Sequence, residues 1–226
     1  MIKVENIDVW GFEHAVRGCR NPMNSWAKSD SGYCKGSGDK LCDSCDINPC
    51  KIGAQNFGDK FVIGLNDLDL MKRLYKAGTE HRKYARQIFV SMDITAPIFW
   101  WKEESQYKVG TTTNSCSSMH TIHKKPFTRE DFSCEHLNAR SLNALDVTIS
   151  NLNDCREEYL KTKNKDDWWQ LIELLPMSFN QRRTLTMSYE NVFNMIKQRT
   201  GHKLDEWREF VEILKGLPYV RMIMED

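Results

Sequence analysis

Two spacings of apolar residues divide the chain into strand-like and helix-like segments. The segment IKVENIDVW at residues 2–10 alternates apolar and polar side chains with one slip in register, and RQIFVSMDITA at residues 86–96 alternates throughout. A period of two places every second side chain on the same face of a strand. We therefore predict two strands, the first with a slip in its register.

Helical spacing dominates the rest of the chain. In residues 66–78 the stripe of Leu70, Met71 and Leu74 predicts a helix that begins at Asn66 and is closed by a glycine. Further helices are predicted at residues 12–19, 95–106, 137–163, 165–175, 188–201 and 203–216. Two or three strands followed by about five helices favour an α+β fold, and no linker or repeat divides it. We predict a single domain over residues 1–226.

Two segments lack either spacing. Residues 20–60 are rich in Asn, Ser, Asp, Gly and Cys, and a loop of this length within a compact domain implies disorder or a covalent or metal staple. Residues 107–120, YKVGTTTNSCSSMH, have too few apolar residues for a core strand and too many hydroxyl groups for a helix interior. This second segment is predicted to be a polar loop.

Composition and charge argue against two classes of function. Apolar residues make up 40% and charged residues 28% of the 226, and the formal net charge is +1. A nearly neutral chain has no bulk attraction to nucleic acid or to a membrane surface. The first residues contain no signal-peptide core, and no window approaches the ~18 apolar residues of a membrane span. We expect a cytoplasmic protein that has neither nucleic acid nor membrane as a partner, with its cysteines reduced or bound to metal.

Four of the eight cysteines fall close together in the loop-like insertion at residues 31–60. Cys34, Cys42, Cys45 and Cys50 include one C-x-x-C pair and are separated by Gly, Asp, Asn and Pro. Four thiolates suit a tetrahedral zinc ion, which can fold a segment that has no core of its own. An iron–sulfur cluster takes the same ligands, and free thiols in a flexible insertion are the third interpretation. The polar flanking residues favour zinc.

The C-terminal half contains four polar residues at defined spacings. Arg182 lies six residues after the proline of the Leu-Pro pair at residues 175–176, and Arg199 lies seventeen residues further on. The segment LDEWR then contains Glu206 and Arg208. Three spaced matches in one order are more specific than any one of them.

The predicted polar loop at residues 107–120 supplies a second part of the pattern. Asn114 and Ser117 have the spacing N-x-x-S, and Thr112 stands two residues before the asparagine. With the C-terminal spacings, these residues resemble the flavin-dependent thymidylate synthases, the ThyX family. Its signature is R-H-R-x-x-S-x-N-E-x-S-x-R-Y, preceded by a helix that begins at Ala-Pro. The resemblance covers roughly residues 65–215 and leaves out the cysteine-rich insertion.

The resemblance implies both a fold and a reaction. The fold is a ThyX-like α+β arrangement in which a small antiparallel sheet packs with several helices. The reaction is the reductive methylation of dUMP, so the protein would be a methyltransferase. Methylenetetrahydrofolate supplies the carbon, FAD reduced by NADPH supplies the hydride, and family members assemble as homotetramers. No cysteine nucleophile is needed.

Individual roles follow from the same resemblance. Arg182 and Ser117 are the expected catalytic residues and also bind the nucleotide, with Arg208 and Ser118 as further nucleotide-binding residues. Arginine suits phosphate and carbonyl oxygens because its N–H groups form a fixed fork. The expected cofactor-binding residues are Lys108, Thr112, Asn114 and Arg199.

The loop also departs from the signature. Tyr, Lys and Val at residues 107–109 stand where the family has R-H-R, Ser115 replaces Glu, Met119 replaces Arg and His120 replaces Tyr. Two alternatives therefore stay open. One is a related enzyme that modifies a different pyrimidine nucleotide, and the other is a nucleotide-binding protein that has lost flavin chemistry.

Overall fold

A computed structural model describes residues 1–33 and 61–225 of the chain and has a mixed α+β architecture. In chain order its elements are β1 (Lys3–Trp10), α1 (Phe12–Arg20), β2 (Gly32–Tyr33), β3 (Phe61–Val62), α2 (Leu65–Lys76), β4 (Phe89–Pro97), α3 (Ile98–Glu104), β5 (Thr111–Ser115), α4 (Ser118–Thr121), α5 (Ala139–Thr162), α6 (Lys165–Leu174), β6 (Asn180–Ser188), α7 (Tyr189–Arg199), α8 (Asp205–Lys215) and α9 (Val220–Met224). Short 3₁₀ turns occur between several of them.

Four strands form the main sheet in the order β1-β4-β6-β5, and β2 and β3 form a separate antiparallel pair. The backbone N–H of Cys116 donates to the carbonyl oxygen of Arg182, and that of Ser188 donates to Gly110. Residue numbers rise along one strand as they fall along the other, so β5 and β6 run antiparallel. The bonds that flank β4 and β6 follow the same rule.

The predicted helices and both predicted strands are present. The helix predicted over residues 95–106 begins only at Ile98, because residues 95–97 continue β4, and the short helices α4 and α9 were not predicted. The slip in the first strand corresponds to Asn6, which has a positive φ of 52° in the middle of β1. Four of the six described strands were not predicted. The short strands β2 and β3 lie within and directly after residues 20–60, the segment that lacked either spacing. The supposed polar loop contains β5, whose residues are half-buried or exposed, and β6 follows the Leu-Pro pair.

The chain divides into two compact units, which we call the first and the second unit. The first unit comprises Met1–Val4, Asp93–Gln106 and Thr113–Thr184. The second unit comprises Glu5–Met92, Tyr107–Thr112 and Leu185–Asp226. The prediction of a single domain over residues 1–226 stays a prediction.

The core of the first unit lies under the hairpin of α5 and α6. Leu145, Ile149 and Leu152 of α5 meet Leu171 of α6 in one buried cluster. Aromatic rings from the loops complete this cluster, with ring centroids 5.8–6.3 Å apart among Phe127, Phe132 and Phe179. Rings in tilted or edge-to-face contact at these distances pack favourably. The cluster supports the loop residues that line the candidate site.

The second unit is held by aromatic side chains and by two buried ion pairs. Trp207 and Phe210 of α8 are fully buried, as is Phe193 of α7. Arg82 donates to both carboxylate oxygens of Glu190, with its Nη2 2.9 Å from Oε1. The second pair joins Arg20 and Asp67. Across the part of the chain that the structure describes, no helix has the length and apolar character that crossing a membrane requires.

Candidate functional site

A cavity of about 300 Å³ opens in the first unit beside β6 and α4. Its walls combine apolar rings with amide, hydroxyl and charged groups, which is typical of small-molecule sites. The lining residues are Thr95, Cys116, Ser118, Thr121, Ile122, Lys125, Phe127, Glu130, Asp131, Phe179, Asn180, Gln181 and Arg182. Three of them, Asn180, Gln181 and Arg182, are consecutive residues of β6.

Arg182 brings a positive charge to the cavity in a fixed orientation. Its Nη2 donates to Oδ2 of Asp93 at 2.7 Å, and the hydroxyl of Thr184 donates to the other oxygen of the same carboxylate at 2.6 Å. About half of the Arg182 side chain is exposed. The Asp93 carboxylate thus fixes the direction of a partly exposed guanidinium at the cavity wall.

Asn180 presents a donor whose acceptor is missing. Its Oδ1 accepts a hydrogen bond from Ser133 Oγ at 2.8 Å. Among the described residues, no acceptor reaches its Nδ2, although this atom is buried. A buried donor without an acceptor is costly, and a ligand oxygen in the cavity would satisfy it.

Gln181 ties the β6 wall of the cavity to the start of α4. Its Nε2 donates to the carbonyl oxygen of Cys116 at 2.9 Å and lies 3.4 Å from the hydroxyl oxygen of Ser118. Its Oε1 accepts from Nε of Arg183 at 3.0 Å. These bonds use both ends of the amide, so Gln181 positions the loop at this wall.

Behind this wall lies a buried acidic group. The Arg183 guanidinium stacks over the ring of Trp101 at 4.4 Å, and the charge of Glu104 acts on it. Glu104 is 1% exposed, and none of the described residues offers a hydrogen bond to its Oε1. Burial raises the pKa of Glu104 to about 7, although the nearby Arg183 charge opposes the rise.

The rim of the cavity carries further charges beside apolar walls. Lys125 forms an ion pair with Asp131, and its side chain is largely exposed. Ile122 and Phe127 are buried apolar residues of the lining. A planar ring could lie against such walls while its polar edge meets the amide and guanidinium donors. The arrangement therefore suits a small ligand that is both aromatic and acceptor-rich.

The structure places four predicted site residues in the first unit. Ser118 and Arg182 line the cavity together. Ser117 is the residue before α4, and its carbonyl oxygen accepts from the backbone N–H and the hydroxyl of Thr121, at 3.0 and 2.6 Å. Asn114 is exposed on β5. Ser117 and Asn114 are thus near the cavity lining in sequence but are not part of it.

Arg199, in the second unit, lies within an aromatic cluster. Its Nε donates to the hydroxyl of Tyr107 at 2.9 Å, and its guanidinium lies 4.7 Å from the ring centroid of Trp207. Its Nη1 is 3.2 Å from Nε2 of His202. This cluster fixes the direction of the arginine side chain.

The other predicted residues of the second unit are more exposed. Lys108 and Thr112 are both exposed; Lys108 precedes β5 and Thr112 lies in β5. Arg208 donates to the carbonyl oxygens of His202 and Lys203, at 2.9 and 3.2 Å, and pairs with Asp205. These contacts hold the turn before α8, which gives Arg208 a local structural role.

Several lining residues were not predicted from the sequence. Asn180 and Gln181 directly precede Arg182, so the polar run FNQRR after the Leu-Pro pair carried a signal for them. Asp93, which does not line the cavity but holds Arg182, occupies a polar position of an alternating strand and looked like an ordinary exposed residue. Lys125 lies in a region without a recognised motif.

The predicted metal ligands Cys34, Cys42, Cys45 and Cys50 lie outside the described residues, as does nearly all of the insertion at residues 31–60. Within residues 1–33 and 61–225, no group of three or more His, Cys, Asp or Glu side chains could hold a metal ion. The zinc and iron–sulfur alternatives for the cysteines stay predictions.

Similar proteins are found by comparing structures but not by comparing sequences. No protein-family model matches the chain, and no curated protein matches it. The structure is similar to Thymidylate Synthase X (ThyX) from Helicobacter pylori with FAD and dUMP, with 16% identity over 98% of this chain and 96% of that chain and a TM-score of 0.66. A second structure, flavin dependent thymidylate synthase ThyX from Helicobacter pylori complexed with FAD and dUMP, is 15% identical over 98% of this chain and 97% of that chain, with a TM-score of 0.64. The predicted mixed α+β fold with a small antiparallel sheet is confirmed, and the chain has the fold of ThyX.

Proposed function

We propose that this protein is a divergent flavin-dependent thymidylate synthase, which methylates dUMP reductively with methylenetetrahydrofolate, FAD and NADPH. The fold supports this proposal because the two similar structures are ThyX proteins complexed with FAD and dUMP. The observation that carries it is the cavity of the first unit, where the oriented guanidinium of Arg182 and the unsatisfied amide of Asn180 meet at one wall.

The cavity suits a pyrimidine nucleotide by size and by chemistry. Small-ligand sites commonly have volumes of about 300–1,000 Å³, so a cavity of about 300 Å³ accommodates a mononucleotide more readily than a dinucleotide. Phe127 and Phe179 offer apolar surface to a pyrimidine ring. Asn180 Nδ2 would donate to a ring carbonyl, and Lys125 and Ser118 would meet the phosphate.

Arg182 is the residue that we assign to polarisation of the ring. Attack at a pyrimidine carbon moves negative charge onto the ring carbonyl oxygens. A guanidinium that Asp93 already orients stabilises this charge without rearrangement when the reaction takes place. Ser117, whose carbonyl oxygen fixes the first turn of α4, would position the loop that carries Ser118.

The residues proposed for FAD have donor types that fit a pyrophosphate. Lys108 provides an exposed cation and Thr112 an exposed hydroxyl. Arg199 adds a second cation, whose side chain is held by Tyr107 and Trp207. Bound FAD would supply the hydride of the reductive methylation. Asn114 stays a predicted cofactor-binding residue, and Arg208 a predicted nucleotide-binding residue.

A second candidate function is nucleotide binding without flavin chemistry. It is favoured by the contacts of Arg199. The Nε of this arginine donates to Tyr107 and its guanidinium faces Trp207 and His202, so the protein itself already uses groups that would otherwise bind a flavin pyrophosphate. In this case the cavity would keep its nucleotide, either as a bound effector or as the substrate of another pyrimidine-modifying reaction.

The absorption spectrum of the purified protein separates these functions. The synthase proposal predicts flavin absorbance, or its appearance when FAD and dUMP are added, and release of label from C5 of labelled dUMP into water when methylenetetrahydrofolate and NADPH are present. A protein that binds dUMP but takes up no flavin in repeated preparations would instead support the second candidate.

The assembly state belongs to the same proposal. The resemblance to the ThyX family predicts a homotetramer. Multi-angle light scattering of the purified protein measures the mass of the assembly directly. A monomer under conditions in which dUMP and FAD both bind would contradict this prediction.

A further inference from the structure

The second unit contains a buried arginine whose hydrogen bonding is incomplete. Arg20, the last residue of α1, is only 6% exposed. Its Nε donates to Oδ1 of Asp67 at 2.7 Å. Its Nη2 is buried, and none of the described residues supplies an acceptor to it. A buried guanidinium N–H group without an acceptor is costly in a folded protein, which points to a ligand at this position.

Asp67 accepts from Nε of Arg20 and not from Nη2. Its Oδ2 accepts from the hydroxyls of Ser29 and Ser31, both at 2.6 Å, and from the backbone N–H of Asp30 at 3.2 Å. Burial alone would raise the pKa of Asp67, but the hydrogen bonds from Ser29, Ser31 and Arg20 outweigh it and lower the pKa. Asp67 is thus a hydrogen-bonded carboxylate that holds Arg20 in one orientation.

A cavity of about 320 Å³ lies against this arginine. It is lined by Val16, Arg17, Arg20, Asn21, Trp26 and Ser29. Arg17 is exposed and lies one helical turn before Arg20, so the two guanidinium groups are on the same face of α1. Arg17 and Arg20 carry two positive charges and Asp67 carries one negative charge, so the three residues together leave a positive site.

The same cavity contains an aromatic surface with a fixed orientation. Trp26 is 56% exposed, yet its Nε1 donates to Oδ1 of Asn21 at 2.8 Å. This bond holds the indole beside the two arginines. An exposed indole of fixed orientation is a stacking surface for a flat ring. A second cavity beside Arg20 also contains Asp30 and Asp69, so its charge is mixed and we do not assign it.

We propose that Arg17, Arg20, Asn21 and Trp26 form a binding site for a phosphate monoester that carries an aromatic ring, such as a nucleoside monophosphate. The phosphate accepts from Nη2 of Arg20 and from Arg17, and the ring stacks on Trp26. This site lies wholly in the second unit and shares no residue with the cavity around Arg182, so the inference does not depend on the proposed function.

Calorimetric titration of AMP into the purified protein tests this inference. The titration is carried out in an Arg182→Ala background, which removes the binding proposed for the other cavity. We expect one saturable site, about tenfold weaker in Arg17→Ala and in Trp26→Ala. Arg20→Lys keeps a cation beside Asp67 but removes the Nη2 donor, and it is expected to weaken binding by a similar factor. Adenosine and inorganic phosphate should each bind more weakly than AMP.

Matched surface variants control for non-specific losses. Arg140→Ala and Trp169→Ala remove an exposed arginine and a partly exposed tryptophan of the first unit, and they should leave AMP binding unchanged. Three results would overturn the inference: no saturable AMP binding, equal affinity for AMP and inorganic phosphate, or equal losses in the test and control variants. Loss of AMP binding by Arg182→Ala alone would assign the ligand to the other cavity and also overturn it.

Discussion

Ser133 donates a hydrogen bond of 2.8 Å to Oδ1 of Asn180, a residue that lines the candidate cavity. The two residues are separated by 47 positions in the sequence. Because Nδ2 is buried and no acceptor reaches it among the described residues, the amide is a donor prepared for a ligand. A serine on a loop thus holds one end of the amide, while the other end has no partner among the described residues.

Replacement of this amide should weaken nucleotide binding without harming the fold. In Asn180→Ala, dUMP loses one hydrogen bond to a buried donor, so we expect its dissociation constant to rise by about tenfold. Ser133→Ala leaves the donor in place but allows the amide to rotate, and its effect should be smaller. Calorimetric titration with dUMP measures both.

Asn138→Ala is the matched control for these variants. Asn138 caps α5 by accepting from the backbone N–H of Ser141, outside the cavity. Its loss should lower the free energy of unfolding by about 1 kcal/mol and leave the affinity for dUMP unchanged. Equal affinities in wild type and Asn180→Ala would remove Asn180 from the site.

Glu104 should make stability depend on pH in the neutral range. Its pKa in the folded protein is about 7, raised by burial from an ordinary value of 4.5. Between these values the folded state binds more protons than the unfolded state, so stability is present at low pH and is lost as the pH rises towards 7. The loss attributable to this group is up to about 3 kcal/mol between pH 5 and pH 8.

Glu104→Gln tests this dependence because glutamine cannot ionise. We expect the free energies of unfolding of variant and wild type, from urea titrations, to differ little at pH 5 and to diverge in favour of the variant by pH 8. Curves that stay parallel across this range would show that Glu104 titrates normally in the folded protein.

The ion pair of Arg82 and Glu190 should be critical for the second unit. Both residues are about 8% exposed, and Asn194 accepts a further hydrogen bond from Arg82 at 3.0 Å. Glu190→Gln keeps the shape but leaves a buried cation without its counter-charge, so we expect a loss of about 3–5 kcal/mol in unfolding free energy. Asp69→Ala removes the partner of Arg73 in an exposed pair and should change stability little. Comparable losses of unfolding free energy in Glu190→Gln and Asp69→Ala would contradict the claim that the buried ion pair of Arg82 and Glu190 is critical for stability.

The cysteine cluster leads to a prediction about metal content. Cys34, Cys42, Cys45 and Cys50 should bind one equivalent of zinc per chain in untagged protein, because four thiolates complete a tetrahedral site. Elemental analysis measures this, and Cys42→Ser with Cys45→Ser should abolish the zinc. Two or four iron atoms per chain with an equal amount of inorganic sulfide would favour the cluster alternative, and metal-free protein of full stability would contradict both.

The longer helices were predictable from the sequence because their apolar stripes are strong, whereas the short helices α4 and α9 and the strands β5 and β6 were not. β5 consists of Thr111–Ser115, which contains no apolar residue, and it lies at the edge of the sheet. It forms through backbone pairing with β6, as the bond from Cys116 to Arg182 illustrates. Within β6 the first half lines a cavity with polar groups, so only Leu185 and Met187 carry the alternation expected of a core strand.

The candidate site was also predictable only in part. Spacing alone identified Arg182, and the N-x-x-S motif led to the loop that contains Ser118. The contribution of Asn180 depends on a partner far away in sequence, and that of Asp93 depends on the register of β4 against β6. Such tertiary relationships leave no local pattern in the chain.

The most direct test of the account is the affinity of the purified protein for dUMP, measured by calorimetry in wild type and in Arg182→Ala. Arg182 is the one predicted catalytic residue that the structure places in the cavity lining, and its removal should leave the fold intact because its side chain is half exposed. We predict saturable binding of one dUMP per chain and a loss of at least about tenfold in the variant. Unchanged affinity in Arg182→Ala, or no binding of dUMP to the wild type, would contradict the claim that this cavity is a pyrimidine-nucleotide site.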